Sequence, residues 1–331
     1  MKVYVVGNGA VGNYLGNLLR NETTEIVFAP RRRADVVPVA AELAIVAVKS
    51  YDTQGAIETL RRALGETPAS ATILCPQNGV GNEELLAAAF GADAIVSCAL
   101  TVPVERMRNG AVAAANEGGL GLAPVGAVAH NWLIAAFEQA KIPVKVVNDY
   151  KSLKWSKLTL NLVANASCAI LNVLPERLVE FDEMFELELR ALRETRAVMR
   201  KQGLAFIDLP RYPVRALLGV ATLPSAVAKP ILANRIVAAR GSKPPSLLLD
   251  LRAAKGQTEV GVLNGAVAAA GRSLGVPTPV NAVLARVLSD IAHMPQLWAK
   301  YRERPAALVA EIEAEERRGK TAARGKTGVL R

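Results

Sequence analysis

Short apolar runs alternate with helical patterns along the first half of the chain. The run from Val3 to Val6 is rich in β-branched residues and stops at Gly7, and from Ala10 onward apolar residues recur at the spacing of one helix face. The alternation continues, with strands predicted at 25–29, 43–48, 71–75, 95–100, 119–122 and 144–147, helices at 10–20, 53–64, 83–90 and 125–140, and a hairpin around Asn109-Gly110. This order predicts an α/β fold whose N-terminal part is a Rossmann-type doubly wound parallel sheet.

After residue 148 the apolar spacing is that of helices only, with helices predicted at 178–202, 260–274 and 280–294. Residues 208–245 form a proline-punctuated, apolar and basic insertion. We interpret it either as short helices beside a ligand site that lead into Ser246, or as a surface elaboration or subunit contact. The pattern therefore divides the chain into a Rossmann-type domain at 1–148, an all-helical domain at 149–316 and a basic, disordered tail at 317–331.

The turn after the first strand reads Gly7-Asn8-Gly9-Ala10-Val11-Gly12. In a strand-turn-helix context the first glycine makes the tight turn, and the second lets backbone N–H groups approach a pyrophosphate. The third glycine lets the helix pack on the strand. The turn predicts a dinucleotide site, although a bare strand-to-helix turn has the same spacing.

The end of the second strand bears on the choice of nicotinamide cofactor. An NAD site places an acidic residue there for the ribose 2′-hydroxyl, whereas a 2′-phosphate requires cations. The strand ends in Pro30-Arg31-Arg32-Arg33, and no acid follows until Asp35. The sequence therefore favours NADP (NADPH), with Arg31 as the first candidate for the 2′-phosphate.

Polar residues at strand ends and on one helix are the candidates for chemistry. Lys49 follows the third strand and Asn78 follows the fourth, at the sheet edge where α/β folds place ligands. Lys157, Asn161 and Asn165 are spaced i, i+4, i+8 on a mostly apolar segment, which puts them on one face of a predicted helix. From the residues alone this polar stripe faces a ligand, or it is a structural stripe that is exposed to solvent or hydrogen-bonded within the protein.

Five segments taken together resemble the ketopantoate reductase (2-dehydropantoate 2-reductase) family: GNGAVG, VKSYDT, QNGVGNEEL, WSKLTLNLVAN and KGQTEVGVLNG. The resemblance implies NADPH-dependent reduction of 2-dehydropantoate to (R)-pantoate, on the route to pantothenate and coenzyme A. It implies an NADP-binding first domain and a catalytic, substrate-binding second domain. The implied site residues are Arg31 on the 2′-phosphate, Lys49 and Asn78 where nicotinamide and substrate meet, Lys157, Asn161 and Asn165 as a catalytic stripe, Ser246 on polar substrate groups, and Glu259 facing the lysine.

The proton donor for such a reduction is best assigned to Lys157. The two histidines, His130 and His293, lie on an apolar helix and near the end of the folded part, so neither is a good candidate. Two alternatives stay open: an NADP-dependent reductase of another 2-oxo acid on the same scaffold, and a non-catalytic NADP-binding regulator. The short connection between Arg31 and Lys49, the segment Leu171–Pro175 and Gly261 depart from the family pattern and leave the exact substrate open.

Composition narrows the classes of partner. The net charge is +10, but six of the cations lie in the acid-free tail, and the rest of the chain carries +4, which suits an enzyme of anionic ligands rather than a nucleic-acid-binding protein. Cys75, Cys98 and Cys168 lie far apart and predict buried, reduced thiols without a metal site. The first strand begins at residue 2 and no long apolar run is uninterrupted, so we expect a soluble cytoplasmic enzyme without a membrane partner, as a monomer or homodimer.

Overall fold

The first predicted strand forms as β1 (Lys2–Val6) and lies second in a seven-stranded sheet. The computed structural model describes residues 1–66, 71–107, 109–114, 117–240 and 243–327. The other sheet strands are β2 (Glu25–Phe28), β3 (Leu43–Val46), β4 (Thr72–Cys75), β5 (Ile95–Leu100), β8 (Leu120–Pro124) and β9 (Val144–Val146), in the order β2-β1-β3-β4-β5-β8-β9. The first five strands run parallel, β8 runs antiparallel to β5, and β9 runs parallel to β8.

The strand order creates the switch point that a doubly wound sheet uses for ligands. From β1 the chain moves outward to β2 and then crosses to the other side of β1 to form β3. β3 and β4 are buried at every position, which explains their continuous apolar sequences. The predicted parallel sheet is confirmed, and the carboxyl ends of β1 to β4 meet at one edge.

Helices α1 (Ala10–Leu19), α2 (Thr53–Leu64), α3 (Asn82–Phe90) and α4 (Asn131–Gln139) connect these strands. The predicted hairpin forms as β6 (Val104–Arg106) and β7 (Val112–Ala114). The bounds of α2 agree with the prediction, but α4 begins six residues later than the predicted start at 125. A Cβ on Gly126 would lie 2.2 Å from Asp93 Oδ1, which accepts the Ala127 N–H, so this segment is held in an irregular turn.

In the described residues after β9, the regular elements are helices, as predicted. Its helices are α5 (Tyr150–Leu162), α6 (Ala166–Leu171), α7 (Pro175–Glu180), α8 (Asp182–Lys201), α9 (Val214–Val220), α10 (Ser225–Arg240), α11 (Ser246–Arg252), α12 (Asn264–Leu274), α13 (Pro279–His293) and α14 (Pro305–Thr327). The single helix predicted over 178–202 was wrong, because Phe181 is extended and divides it into α7 and α8. Helix α8 begins with Asp182 and Glu183, and their carboxylates stabilise its N-terminus because the helix dipole is positive there.

The chain forms two compact units, Met1–Leu158 with Phe206–Val214, and Thr159–Ala205 with Arg215–Arg331. The division differs from the predicted boundary after residue 148, because most of α5 belongs with the sheet. Residues 206–214 also return to the first unit, where Ser156 Oγ accepts the Ile207 N–H (2.8 Å) and Lys145 Nζ donates to the Asp208 carbonyl (2.6 Å). The rest of the insertion forms α9 and the longer α10, with Pro230 inside α10. Residues 241 and 242 lie outside the described part.

The tail predicted to be disordered is helical as far as Thr327, because α14 continues through it. Alanine, lysine and arginine are strong helix formers, and Arg317 and Arg318 form ion pairs with Glu313 (3.6 Å) and Glu315 (2.9 Å) within one helical turn. Residues 328–331 lie outside the described part. All three cysteines are buried free thiols, as predicted. Among the described helices, none combines the length and the apolar character needed to cross a membrane.

Candidate active site

The glycine turn after β1 has the shape that a dinucleotide requires. Gly7 has φ +113°, and a Cβ there would lie 2.5 Å from the Ala47 carbonyl carbon. A Cβ on Gly12 would lie 2.0 Å from the Gly7 carbonyl oxygen, so helix and strand touch at this point. A Cβ on Gly9, in contrast, has no neighbour within 4 Å. The outer glycines are thus required by packing, while Gly9 leaves open space for a pyrophosphate.

Hydrogen bonds hold this turn in place. Asn13 Nδ2 donates to Asn8 Oδ1 (2.5 Å) and to the Gly9 carbonyl (2.8 Å), and Arg106 Nη1 of β6 donates to the Asn8 carbonyl (3.0 Å). The first helical hydrogen bond of α1 runs from Asn13 N to Gly9 O. The N–H groups of Ala10, Val11 and Gly12 precede it and are available to phosphate oxygens, in the positive field of the helix N-terminus.

The segment after β2 presents arginine rather than a carboxylate. Arg33 is paired with Glu58, and Arg32 is paired with Asp35 (3.3 Å), the nearest acid. Arg31 is exposed and forms no ion pair with any residue that the structure describes. The residues at this strand end therefore fit a 2′-phosphate better than a bare ribose hydroxyl.

Lys49 and Asn78, both half-buried, lie in loops that are hydrogen-bonded to each other. Ser50 Oγ donates to the Asn78 carbonyl (3.1 Å), and Gln77 Nε2 donates to the Val48 carbonyl (3.1 Å). The structure thus brings the ends of β3 and β4 together with the glycine turn and the arginine segment, all within the first unit.

A buried ion pair lies behind these loops, and sequence reasoning missed it. Lys154 Nζ lies 3.0 Å from Glu83 Oε1, with the two side chains 2% and 1% exposed. Lys154 also donates to the Gln77 carbonyl, and Ser97 Oγ donates to Glu83 (2.9 Å). Although burial opposes the charge, the Glu83 carboxylate keeps the pKa of Lys154 above its usual value. The sequence shows a lysine one helical turn before Lys157, but the spacing of residues cannot predict which distant side chain pairs with it.

Lys157 and Asn161 share one face of α5 and are half-buried. The other polar side chains between Ser152 and Leu171 are buried. A partly accessible ammonium and carboxamide, on a segment whose other polar side chains are buried, are suited to bind a polar ligand.

The predicted i, i+4, i+8 stripe was wrong at Asn165, because α5 ends at Leu162 and Ala164 has φ +48°. Glu188 of α8 stabilises the break, since its carboxylate accepts the Ala164 N–H (2.7 Å) and the Ser167 hydroxyl. Asn165 nevertheless remains beside Asn161, because its Nδ2 donates to the Asn161 carbonyl (2.9 Å).

Within the second unit, Asn165 also connects Asn161 with the region of Ser246. Asn165 Oδ1 accepts the Leu247 N–H (3.2 Å), and Asn165 Nδ2 lies 3.5 Å from Ser246 Oγ. Asn165 is buried and Ser246 is exposed at the start of α11. Glu259, in the same unit, is buried in a short 3₁₀ turn (Glu259–Val262) whose Val260 N–H donates to Thr258 Oγ1 (3.3 Å).

Both histidines make structural contacts. The His130 ring nitrogens lie 3.1 Å from Thr72 Oγ1 and 3.1 Å from the Asp93 carbonyl, and burial lowers the pKa of His130. His293 Nδ1 lies 2.7 Å from the Ser289 carbonyl.

Comparison with known proteins identifies the family. The model described as "Ketopantoate reductase PanE/ApbA" matches residues 37–126, and the one described as "Ketopantoate reductase PanE/ApbA C terminal" matches 149–292. A 2-dehydropantoate 2-reductase from Pyrobaculum aerophilum is 30% identical over 240 residues, which are 72% of this chain and 73% of the relative.

Solved structures agree with this assignment. A PanE/ApbA family ketopantoate reductase from Ralstonia eutropha superposes with a TM-score of 0.72 at 26% identity, covering 89% of this chain and all of that one. A D-mandelate dehydrogenase, described in complex with NADH and anilino(oxo)acetate, shares the fold at a TM-score of 0.71 and 17% identity, covering 90% and 99% of the two chains. With both halves matched in chain order, this protein is an oxidoreductase that belongs to the ketopantoate reductase family.

Proposed function

We propose that this protein reduces 2-dehydropantoate (ketopantoate) to (R)-pantoate with NADPH, a step in pantothenate and coenzyme A biosynthesis. Family membership supports the reaction class. The single observation that carries the proposal is that Lys157 and Asn161 are partly accessible on a stretch of chain whose other polar side chains are buried. These residues lie at the lysine and first asparagine of the family's helix motif.

The cofactor of this family of reductases is a nicotinamide dinucleotide, and we assign it here as NADPH. Gly7–Gly12 would hold the pyrophosphate and Arg31 the 2′-phosphate, because Gly9 is open and Arg31 makes no ion pair with the described residues. Lys49 and Asn78 would adjoin the nicotinamide end at the ends of β3 and β4. When bound, the cofactor supplies the hydride that reduces the substrate carbonyl carbon.

Lys157 supplies the proton in this proposal. Its ammonium donates a hydrogen bond to the substrate carbonyl oxygen and transfers the proton as the carbon is reduced. Its positive charge stabilises the developing alkoxide before the transfer is complete. The family resemblance gives Glu259 a catalytic role, and we keep that assignment in the proposal.

We assign the hydrogen bonds to the substrate's other polar groups to four residues: Asn78, Asn161, Ser246 and Lys49. Asn165 acts chiefly as their support, because its amide is engaged with Asn161 and with the first residues of α11. We therefore assign the substrate's terminal hydroxyl to Asn161. A carboxamide can accept from or donate to this hydroxyl without changing charge.

A reductase of another 2-oxo acid is the second candidate, and one observation favours keeping it. Asn172, in the segment that departs from the family pattern, accepts hydrogen bonds from Arg252 Nε (3.1 Å) and Nη2 (3.0 Å). Asn172 also caps α6 at its C-terminus in the left-handed conformation. Its side chain and backbone are therefore both used for structural contacts. A non-catalytic NADP-binding regulator is a weaker alternative, because such a protein has no need of Lys157.

The proposal is tested by NADPH oxidation with a panel of 2-oxo acids that includes ketopantoate, straight-chain acids and aryl acids. We expect the highest kcat/KM for ketopantoate and, by chiral chromatography, (R)-pantoate as the product. A higher value for an aryl or straight-chain acid would assign the protein to the second candidate. Tight NADPH binding without turnover on any member would support the regulator.

A further inference from the structure

The buried ion pair of the first unit has no role in the mechanism proposed above. Lys154 and Glu83 are almost completely excluded from solvent. Removing two charges from water costs free energy that can equal or exceed the attraction between them. Well-packed apolar residues in place of a buried ion pair therefore often give a folded state that is equally stable. The position of this pair therefore requires a reason other than stability.

The ion pair is one end of a hydrogen-bond network through Gln77. The Gln77 backbone carbonyl accepts from Lys154 Nζ. The Gln77 side-chain amide donates to the Val48 carbonyl (3.1 Å) and to Thr53 Oγ1 (2.8 Å). One buried residue thus connects α5 with the loop after β4 and the loop after β3.

A second branch fixes the Asn78 backbone. Thr53 Oγ1 donates to Asn82 Oδ1 (3.0 Å), and Asn82 Nδ2 donates to the Asn78 carbonyl (3.1 Å) and to Ser50 Oγ (3.2 Å). Thr53 and Asn82 are buried. The network is continuous from helix α5 to the start of α3.

Each end of this network lies next to a residue of the proposed site. Val48 precedes Lys49, Gln77 precedes Asn78, and Lys154 lies one helical turn before Lys157. All of these residues belong to the first unit. The three site residues come from different segments, and the polar network joins those segments.

We propose that Lys154 is a positioning residue: its pair with Glu83 clamps α5 to the loop 76–82 and thereby fixes Lys157 relative to Lys49 and Asn78. This inference rests on the proposed function, because it assigns Lys157 as the proton donor. A misplacement of about 1 Å at a reacting group can cost about 10²-fold in rate, so the clamp acts on kcat. It touches neither substrate nor cofactor.

The test compares Lys154→Met, Glu83→Gln and the double variant. Each single change leaves one buried charge unpaired, so both variants should unfold at lower denaturant concentration. The double variant removes both charges and should recover most of the wild-type midpoint. Its kcat should nevertheless stay lower by roughly 10- to 100-fold, with a larger primary deuterium isotope effect and a change below about threefold in the Kd for NADPH.

Lys145→Met is the matched control, because Lys145 also donates to a backbone carbonyl in the first unit, that of Asp208 (2.6 Å). We expect it to keep the wild-type kcat and isotope effect. As a second variant, Gln77→Leu cuts the link to Val48 while leaving the ion pair, and it should also lower kcat. Recovered stability together with wild-type kcat in the double variant would reduce the pair to a structural role.

Amide hydrogen exchange separates this inference from the proposed function. In the double variant, exchange in residues 76–82 should be faster than in the wild type and in Lys145→Met, whether or not any 2-oxo acid is reduced. Unchanged exchange there would overturn the clamp. Absence of turnover in the wild type would instead overturn the proposed function.

Discussion

Arg31 is the residue on which the choice of cofactor depends. Its neighbours Arg32 and Arg33 are paired with Asp35 and Glu58, whereas Arg31 has no ion pair within the described residues. Arg31→Ala should weaken NADPH binding by about 1.5–3 kcal/mol, the value of a charge-assisted hydrogen bond, and leave NADH nearly unchanged. Fluorescence titration with both cofactors measures this, with Arg33→Ala as the control. Equal affinity of the wild type for NADPH and NADH would contradict the assignment.

Lys157 is the residue on which the chemistry depends. Lys157→Ala should lower kcat by about 10²–10⁴, the range for a lost general acid, and leave NADPH affinity largely intact. Lys151→Ala is a matched control, because Lys151 is an exposed lysine on the same helix. Steady-state kinetics with ketopantoate compare the two. If Lys157→Ala turned over normally, the proton donor would have to be sought elsewhere, first at Lys49.

At the scale of elements, the turn from β1 to α1 separates glycines needed for packing from the glycine needed for binding. Gly12→Ala places a Cβ against the Gly7 carbonyl and should destabilise the fold by about 1–3 kcal/mol, as overpacking does. Gly9 has φ −92° and open space, so Gly9→Ala should keep the wild-type stability. It should weaken NADPH binding by about tenfold (1.4 kcal/mol) or more. Unfolding midpoints and NADPH titrations give the comparison, and full affinity in Gly9→Ala would place the pyrophosphate elsewhere.

The start of α13 is held by Glu194 of α8. Its carboxylate accepts the Val280 and Asn281 N–H groups (both 2.9 Å) and Asn281 Nδ2 (2.7 Å), yet burial raises the pKa of Glu194 from 4.5 to about 7. Since the folded state binds this proton more tightly than the unfolded state, the contribution to stability is full below pH 4.5 and is lost as the pH rises through about 7.

Glu194→Gln should remove this dependence. From about pH 4.5 to about 7, the wild type should lose stability relative to the variant, because only the wild type must ionise a buried carboxyl group. Urea unfolding at a series of pH values measures the difference, with Glu183→Gln, an exposed position on the same helix, as the control. Parallel curves for the wild type and Glu194→Gln would mean that Glu194 keeps an ordinary pKa in the folded protein.

The elements that the sequence predicted well are those determined locally. Helix α2 and the buried strands β3 and β4 follow from the spacing and length of their apolar runs. The break before Asn165 could not be predicted in this way, because Glu188 of another helix stabilises it. The sequence also did not predict the buried ion pair of Lys154 with Glu83, because the two residues are distant in sequence and meet only in the folded sheet domain.

At the scale of the whole molecule, family motifs contributed more residues to the candidate site than spacing did. The glycine turn and the arginine after β2 follow from general dinucleotide chemistry, and the structure places them at one edge of the sheet. Ser246 and Glu259 entered only through resemblance, because a lone serine or glutamate carries no signal of its own. The tertiary contacts then add what motifs omit, namely that Asn165 supports Asn161 and Ser246.

The central claim is that this chain is a reductase specific for ketopantoate, and substrate discrimination tests it most directly. A site that hydrogen-bonds a substrate hydroxyl rejects the analogue lacking it by orders of magnitude, whereas a site that only accommodates the hydroxyl discriminates little. The measurement is the ratio of kcat/KM, with NADPH, for ketopantoate and its deoxy analogue 3,3-dimethyl-2-oxobutanoate. We predict a ratio of at least about 10², with Asn161 as the hydroxyl partner. Comparable values for the two compounds would contradict the account and assign the protein to the reductases of other 2-oxo acids.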